Sequence, residues 1–339
     1  MIMKLKNKTI KQLVLAIIVS LLSLQISMAQ KDNDLEDMGL SSGVKYLFRQ
    51  NYSLNEKNAR LEINDLKIYK FDSKGNILLD SDRYYSHIYT YNSQGNKEIK
   101  NRLNQKNEVV WKTTYTYDNN QRLVKEEVFN AFGSLSYSIV YKYSPIGLIQ
   151  ERLRVDADVG SVRQTKYYHN TEGVLWKEVV YNNNRIYQTT TYNYDSSDKL
   201  LERKELDGRG DLLSRVSYKY SREGNLVLEE EFDKNDEAIR KITLVYDNKN
   251  RLVSEDRTYY MPNSHSRELL DISSSIEYKY DDRDNWTESK VYNYKKEVTH
   301  IVKRKIVYYG SKDENAHPDW DDYQSLSRYI RGFTSSRTR

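Results

Sequence analysis

The acidic clusters Asp156-Ala157-Asp158 and Asp281-Asp282-Arg283-Asp284 are the groups best suited to chelating a cation, yet neither has the ligand spacing of a calcium loop. The five histidines, at 87, 169, 265, 300 and 317, show no metal-ligand spacing, and the chain has no cysteine. It contains no nucleophile elbow, phosphate-binding loop or other catalytic signature. Neighbouring acids such as Glu229-Glu230 fall on opposite faces of a strand, a poor arrangement for paired acid and base catalysis. The expectation is therefore a protein with no catalytic residues, no metal and no cofactor. What remains is recognition by tyrosine. The 339 residues include 31 Tyr against 6 Phe, and such rings stack on sugar faces while their hydroxyls hydrogen-bond.

Those tyrosines recur in register. Tyr-x-Tyr is followed by Asp, Asn or Ser and then, three residues on, by Gly, as in Tyr89-Thr90-Tyr91-Asn92 with Gly95 and Tyr218-Lys219-Tyr220-Ser221 with Gly224. The second aromatic position falls at 71, 91, 117, 143, 169, 194, 220, 246 and 280. Its steps are 25 or 26 residues, apart from a first step of 20 and a last step of 34. A second turn signal lies half a period later, at Asn104, Asn130, Asp156, Asn182, Asp207 and Asp233. Two turns per period mean two antiparallel strands per repeat. The fold class is thus all-β, an antiparallel hairpin-repeat meander of about 26 residues per repeat and roughly twenty strands. A sheet of that size curls or closes, and a solenoid, a spiral shell and a wide closed sheet all satisfy the pattern.

Alternation puts both tyrosines of a pair on one face and the intervening Lys70, Thr90, Thr116, Lys142, Asn193, Lys219 or Lys279 on the other. Two residues after the turn glycine comes an apolar column that includes Ile77, Leu123, Ile149 and Leu200. Continued alternation assigns Lys100, Glu126, Arg152, Glu178, Arg203, Glu229 and Glu255 to a solvated face. Asn250, Asp198 and Asp284 stand where other repeats have the turn glycine and tolerate its left-handed conformation. Gln121 suits it less, so the neighbouring Asn120 is expected to take the strain. The tyrosine columns are read first as core, with their excess over Phe suggesting that part of the aromatic face borders water or a cavity. Trp111, Trp176 and Trp286 are read as strand-packing residues.

The Tyr-x-Tyr-Asp-x-x-Gly-x-Leu signature resembles the tyrosine-aspartate (YD) repeats of the Rhs family, from Tyr69 to Trp286 and degenerating toward Tyr308-Tyr309. A weaker similarity is to MORN-like hairpin repeats, which are shorter and richer in Gly. The YD resemblance implies an extracytoplasmic β-sheet shell that binds carbohydrate or encloses a partner. No Rhs core segment follows the repeats and about 30 residues remain from Gly310, so no toxin module is expected.

Residues 1–29 read as an export signal. Lys4, Lys6, Lys8 and Lys11 precede an apolar run from Leu13 to Leu24 that is too short to span a bilayer, and Ser27-Met28-Ala29 supplies small residues for cleavage. An N-terminal linker at 30–43, a repeat domain at 44–309 and a C-terminal tail at 310–339 follow. The expected location is extracytoplasmic, whether periplasmic, cell-surface or secreted. The formal net charge of +5 comes mostly from the signal; the remainder is nearly neutral with its signs mixed, which argues against nucleic acid as a partner. No membrane span is expected after cleavage. The expected function is a non-enzymatic scaffold that binds a glycan or a protein, with an outer-membrane β-barrel or a shell around a secreted partner as alternatives. Oligomeric state is not legible. The long last step inserts about eight residues, making Tyr259, Tyr260, Asn263 and His265 the candidate partner-binding loop.

Overall fold

The computed structural model describes residues 34–55, 60–260 and 273–312. The expected export signal lies outside them, as does all but the start of the tail. Twenty strands form one sheet in which each pairs antiparallel with the next. Strand β1 (Val44–Asn55) also pairs antiparallel with β20 (Val298–Tyr308), so the meander closes on itself. Of the arrangements open to the sequence, the wide closed sheet is the one adopted, and among the described strands it leaves no unpaired edge.

Turn chemistry sets the hairpins. Asp195 shows the device: its Oδ1 accepts the amides of Ser197 at 2.8 Å and Lys199 at 2.9 Å, fixing the backbone two and four residues ahead. The fourth turn residue is left-handed, with φ of 90° at Gly147, 58° at Asp198 and 61° at Gln121. Gln121 therefore takes the conformation itself, contrary to the expectation that Asn120 would relieve it. The neighbouring hydrogen bonds, from Gln121 N to Asp118 O and from Asp118 N to Arg122 O, leave the turn no other closure.

One extra residue follows each of these turns. Tyr143 pairs with Ile149 while Lys142 pairs with Glu151, so Gln150 is a bulge. The same shift recurs at Tyr91, Tyr117, Tyr194, Tyr220, Tyr246 and Tyr280. A one-residue slip exchanges the faces of a strand. It overturns the expected solvated column: Glu126, Arg152, Glu178, Arg203 and Glu229 stand directly opposite Tyr115, Tyr141, Tyr167, Tyr192 and Tyr218, on the aromatic face. The residues between the tyrosines do face solvent, Lys142 and Lys279 having 62% and 68% of their side chains exposed.

The best-buried core lies at the seam. Helix α1 (Asp34–Asp37), within the segment read as a linker, seats Leu35 among Leu40, Val44, Leu47, Tyr69, Phe71 and Ile77 on the aromatic face. Asp34 accepts hydrogen bonds from Ile77 N at 2.8 Å and Tyr91 Oη at 3.0 Å and pairs with Lys97. On the opposite face Phe48, Leu66, Ile68, Leu79 and Val307 form a second buried cluster, so the seam is packed on both sides. Buried Asn285 binds Ser41 through both its amide groups, its Oδ1 accepting Ser41 N at 2.8 Å, and it also donates to Tyr308 Oη at 2.6 Å. This ties the first described residues to the last repeat.

Replacing Gln121 by Gly should raise unfolding stability by about 0.5–1 kcal/mol, because a left-handed side-chain residue costs about 1–2 kcal/mol and glycine does not. Gly147→Ala should lower it. Urea denaturation of the two variants checks both signs.

Candidate functional site

The aromatic face carries two tyrosine columns with different partners. The second tyrosine of a pair closes a gap at its rim, where neighbouring strands from successive repeats have no connecting turn. Tyr91, Tyr143, Tyr220 and Tyr280 donate to the carbonyls of Ile77, Leu123, Leu200 and Leu252, the first residues of the preceding strands, at 2.7, 2.8, 2.9 and 2.6 Å. At the seam Tyr309 makes the corresponding reach to Phe71 O at 2.7 Å.

The first tyrosine column instead meets the charged column. Tyr141 donates to Glu126 and Tyr278 to Glu255, each at 2.5 Å. Glu229 and Glu255 are almost wholly buried. Arg240 pairs with Glu229 at 2.6 Å and with Glu231 at 2.8 Å, and Arg257 pairs with Glu255 at 2.7 Å. Burial raises the carboxyl pKa of Glu178 and Glu229 and lowers the ammonium pKa of Lys100. The same loss of solvation holds the hydroxyls of Tyr69, Tyr117, Tyr194 and Tyr218 up to about 12. The excess of Tyr over Phe thus has a structural cause: ring and hydroxyl are both used within the sheet.

Of the candidate loop, Tyr259 and Tyr260 are described and Asn263 and His265 lie outside the described residues. Tyr259 ends the strand Leu252–Tyr259, where its amide donates to Ser273 Oγ at 3.1 Å, and Tyr260 N donates to Ile239 O at 3.0 Å. The loop leaves from the rim opposite the Tyr-x-Tyr turns. That rim also exposes Tyr84, Phe132, Val159, Tyr187 and Tyr294 at or beside its turns, Phe132 being 92% accessible. These were not singled out in the sequence because isolated apolar residues in turns follow no period.

The acidic clusters serve their turns. Asp156 binds Ser161 Oγ at 2.7 Å and Arg154, and Asp281 Oδ1 accepts the amides of Arg283 and Asn285 at 2.9 Å each. Among the tryptophans, Trp286 packs edge-on to Tyr278 beneath Arg304, as a strand-packing residue does. Trp111 and Trp176 remain exposed at the sheet surface.

Tyrosines with raised pKa hold their proton more tightly folded than unfolded. Stability should therefore be retained up to about pH 10 and fall steeply as the pH rises from 10.0 toward 12. Absorbance of tyrosinate should appear together with loss of β-sheet circular dichroism rather than before it. Separately, Tyr143→Phe should cost about 1 kcal/mol by removing a hydroxyl from the Leu123 carbonyl. Tyr278→Phe should cost more, about 1–3 kcal/mol, since it strips a partner from the buried carboxylate of Glu255. Denaturant melts of both variants measure the difference.

No protein-family model matches the chain, and no curated protein matches it. Among solved structures it is similar to a Tc holotoxin pore of Photorhabdus luminescens, 12% identical over 72% of this chain, at a TM-score of 0.31. The chain spans 16% of that toxin chain's length. It is also similar to a porin-like protein of Bacteroides uniformis, 13% identical over 79% of this chain and 99% of the other, at a TM-score of 0.35. A porin-like protein of Bacteroides vulgatus is 10% identical over 80% of this chain and 100% of its own, at a TM-score of 0.30.

Proposed function

We propose that the chain is an exported, non-enzymatic repeat shell that binds a glycan outside the cytoplasm. The observation that carries this reading is a closed sheet with charged side chains on both faces. One face bears Glu126, Arg152, Glu178 and Arg203 opposite the tyrosines. The other bears the cross-strand pairs Lys142–Glu151 at 3.0 Å and Lys279–Glu288 at 2.9 Å, together with Lys125–Glu127 and Lys204–Glu202. A membrane barrel needs an apolar outer band about 25 Å tall, and a midplane Lys or Arg costs it about 2–4 kcal/mol. Charged pairs interrupt that band on either face, which favours a shell over an outer-membrane barrel, while the closed 20-stranded sheet itself suits both readings.

Closure also limits how a partner is recognised. A sheet without edges offers no backbone ladder for an added strand, so recognition falls to side chains. Those available are aromatic rings, amines and carboxylates on a rigid sheet, the combination that stacks on and hydrogen-bonds to sugars. A closed sheet of 20 strands also exceeds the size that one layer of side chains fills, since barrels of about 16–18 strands already leave an aqueous channel.

The chain expressed with its own first 29 residues should be recovered in the soluble extracytoplasmic fraction without detergent, and on a glycan array it should bind a restricted set of oligosaccharides. Recovery only from membranes with detergent would replace the shell by a membrane barrel. An empty array would remove the glycan.

A further inference from the structure

We infer that the solvent-facing side of β10 (Val162–His169) and β11 (Leu175–Asn182) is a binding site for an acidic oligosaccharide, an inference that rests on the glycan reading above. Two residues depart from the repeat here, and they depart together. Between the tyrosines of a pair other repeats carry Lys, Thr or Asn at most positions, whereas this one has Tyr168. At the bulge after the turn, where the type varies through Leu78, Glu98, Val124, Gln150, Leu201, Val227, Val253 and Thr287, this repeat alone has an aromatic residue, Trp176. The register sets Tyr168 opposite Lys177, and the bulge lets Trp176 turn to the same side. Their ring centroids are 6.4 Å apart at an interplanar angle of 56°, and both rings stay open to solvent, 37% and 44% exposed.

The site is shaped for a sugar rather than for the sheet. Within the Tyr-x-Tyr columns, Tyr91, Tyr143, Tyr220 and Tyr280 use their hydroxyls on backbone carbonyls and Tyr141 and Tyr278 on carboxylates. Tyr168 instead shares its hydroxyl with Tyr181 on the same surface. Together they form a tilted aromatic platform on rigid strands, and such apolar ring faces suit the C–H faces of a pyranose.

Charge selects the class of sugar. The Lys177 amine lies 5.3 Å from the Tyr168 ring and 5.7 Å from Trp176, and Lys166 lies 5.3 Å from the Tyr181 ring. Glu151 is in register with Lys166, but its carboxylate is taken by Lys142. Two amines thus flank the platform with no ion-pair partner among the described residues, which fits carboxylate-bearing residues such as uronic acids. A single-stranded nucleic acid would also stack on the rings, but it needs a continuous basic track. This face instead interleaves Lys with Glu, as at Lys142–Glu151 and Lys204–Glu202.

The repeat supplies variants that keep the fold: Tyr168→Thr and Trp176→Val install residues that sister repeats carry at the same positions. Binding of tetragalacturonic acid, of neutral galactotetraose and of a short polythymidylate to the full chain would be measured by calorimetry. We expect the acidic tetrasaccharide to bind, each variant to weaken it about tenfold, and Lys166→Gln with Lys177→Gln to erase the preference over the neutral sugar. Equal binding of tetragalacturonic acid by the folded variants and the parent would overturn the site while leaving the glycan reading intact. No binding of either sugar by the parent overturns the inference, and an empty glycan array beside it would sink the reading too. Tighter binding of polythymidylate than of either sugar would reassign the surface to nucleic acid.

Discussion

A single extra residue after each turn determines which side chains share a face. Without that bulge the charged column would lie in water and the tyrosines would face an apolar layer. With it, Glu126, Glu178 and Glu229 are drawn onto the aromatic face, opposite Tyr115, Tyr167 and Tyr218. A carboxylate taken out of water needs hydrogen bonds or a counter-charge. Tyrosine hydroxyls supply the first, as at Glu126 and Glu255, and Arg240 and Arg257 the second. The preference for Tyr over Phe and the charged column are therefore two parts of one arrangement. Bulges also increase local twist and bending, which helps a long meander come round to its own beginning.

Closing the sheet concentrates packing where the two ends meet. Along the repeats each strand pairs with its two sequence neighbours, and few side chains are wholly buried. At β1, β2 (Arg60–Phe71) and β20 both faces are packed, and α1 is pinned by Asp34 to Ile77, Tyr91 and Lys97. The link from Asn285 to Ser41 spans most of the chain. Local hairpins can form independently, but the seam requires the last strand to reach the first, a contact of high sequence separation that loop entropy makes slow. Most of that core, from Leu35 to Leu79, is local in sequence, so it is the contribution of the last strand, such as Val307, that depends on closure.

The period, the two turns per repeat, the strand count and the aromatic face were legible in the sequence because each depends on local chemistry repeated many times. The destination of the charged column was not. Parity counted along a strand fails at a bulge, and the bulged residue has no fixed type: it is Val124, Gln150, Trp176 or Leu201. The left-handed turn position, by contrast, favours Gly, Asn and Asp, and Gln121 and Lys296 are the residues that hid it among the described turns. The tyrosine clasps were also out of reach, since the contact of Tyr143 with the Leu123 carbonyl depends on the stagger between neighbouring hairpins. The inserted loop was recognisable from its broken period, and the structure sets Tyr259 and Tyr260 at the rim rich in exposed apolar tips.

A repeat scaffold offers its own internal control for telling structure from recognition. Where a residue type recurs at equivalent positions with the same partner, as Tyr91, Tyr143, Tyr220 and Tyr280 do with backbone carbonyls, the fold accounts for it. Where one repeat departs and the fold gains nothing, the departure asks for another cause. Leaving Tyr168 and Trp176 in solvent keeps apolar rings wet that Thr and Val at the sister positions would not present, and a lone exposed aromatic needs no explanation. Two that touch, on one face, flanked by amines without carboxylate partners among the described residues, form a surface with shape and charge of its own. The tyrosines that make this sequence conspicuous are mostly committed to holding the sheet together; the informative aromatics are the few that break its rule.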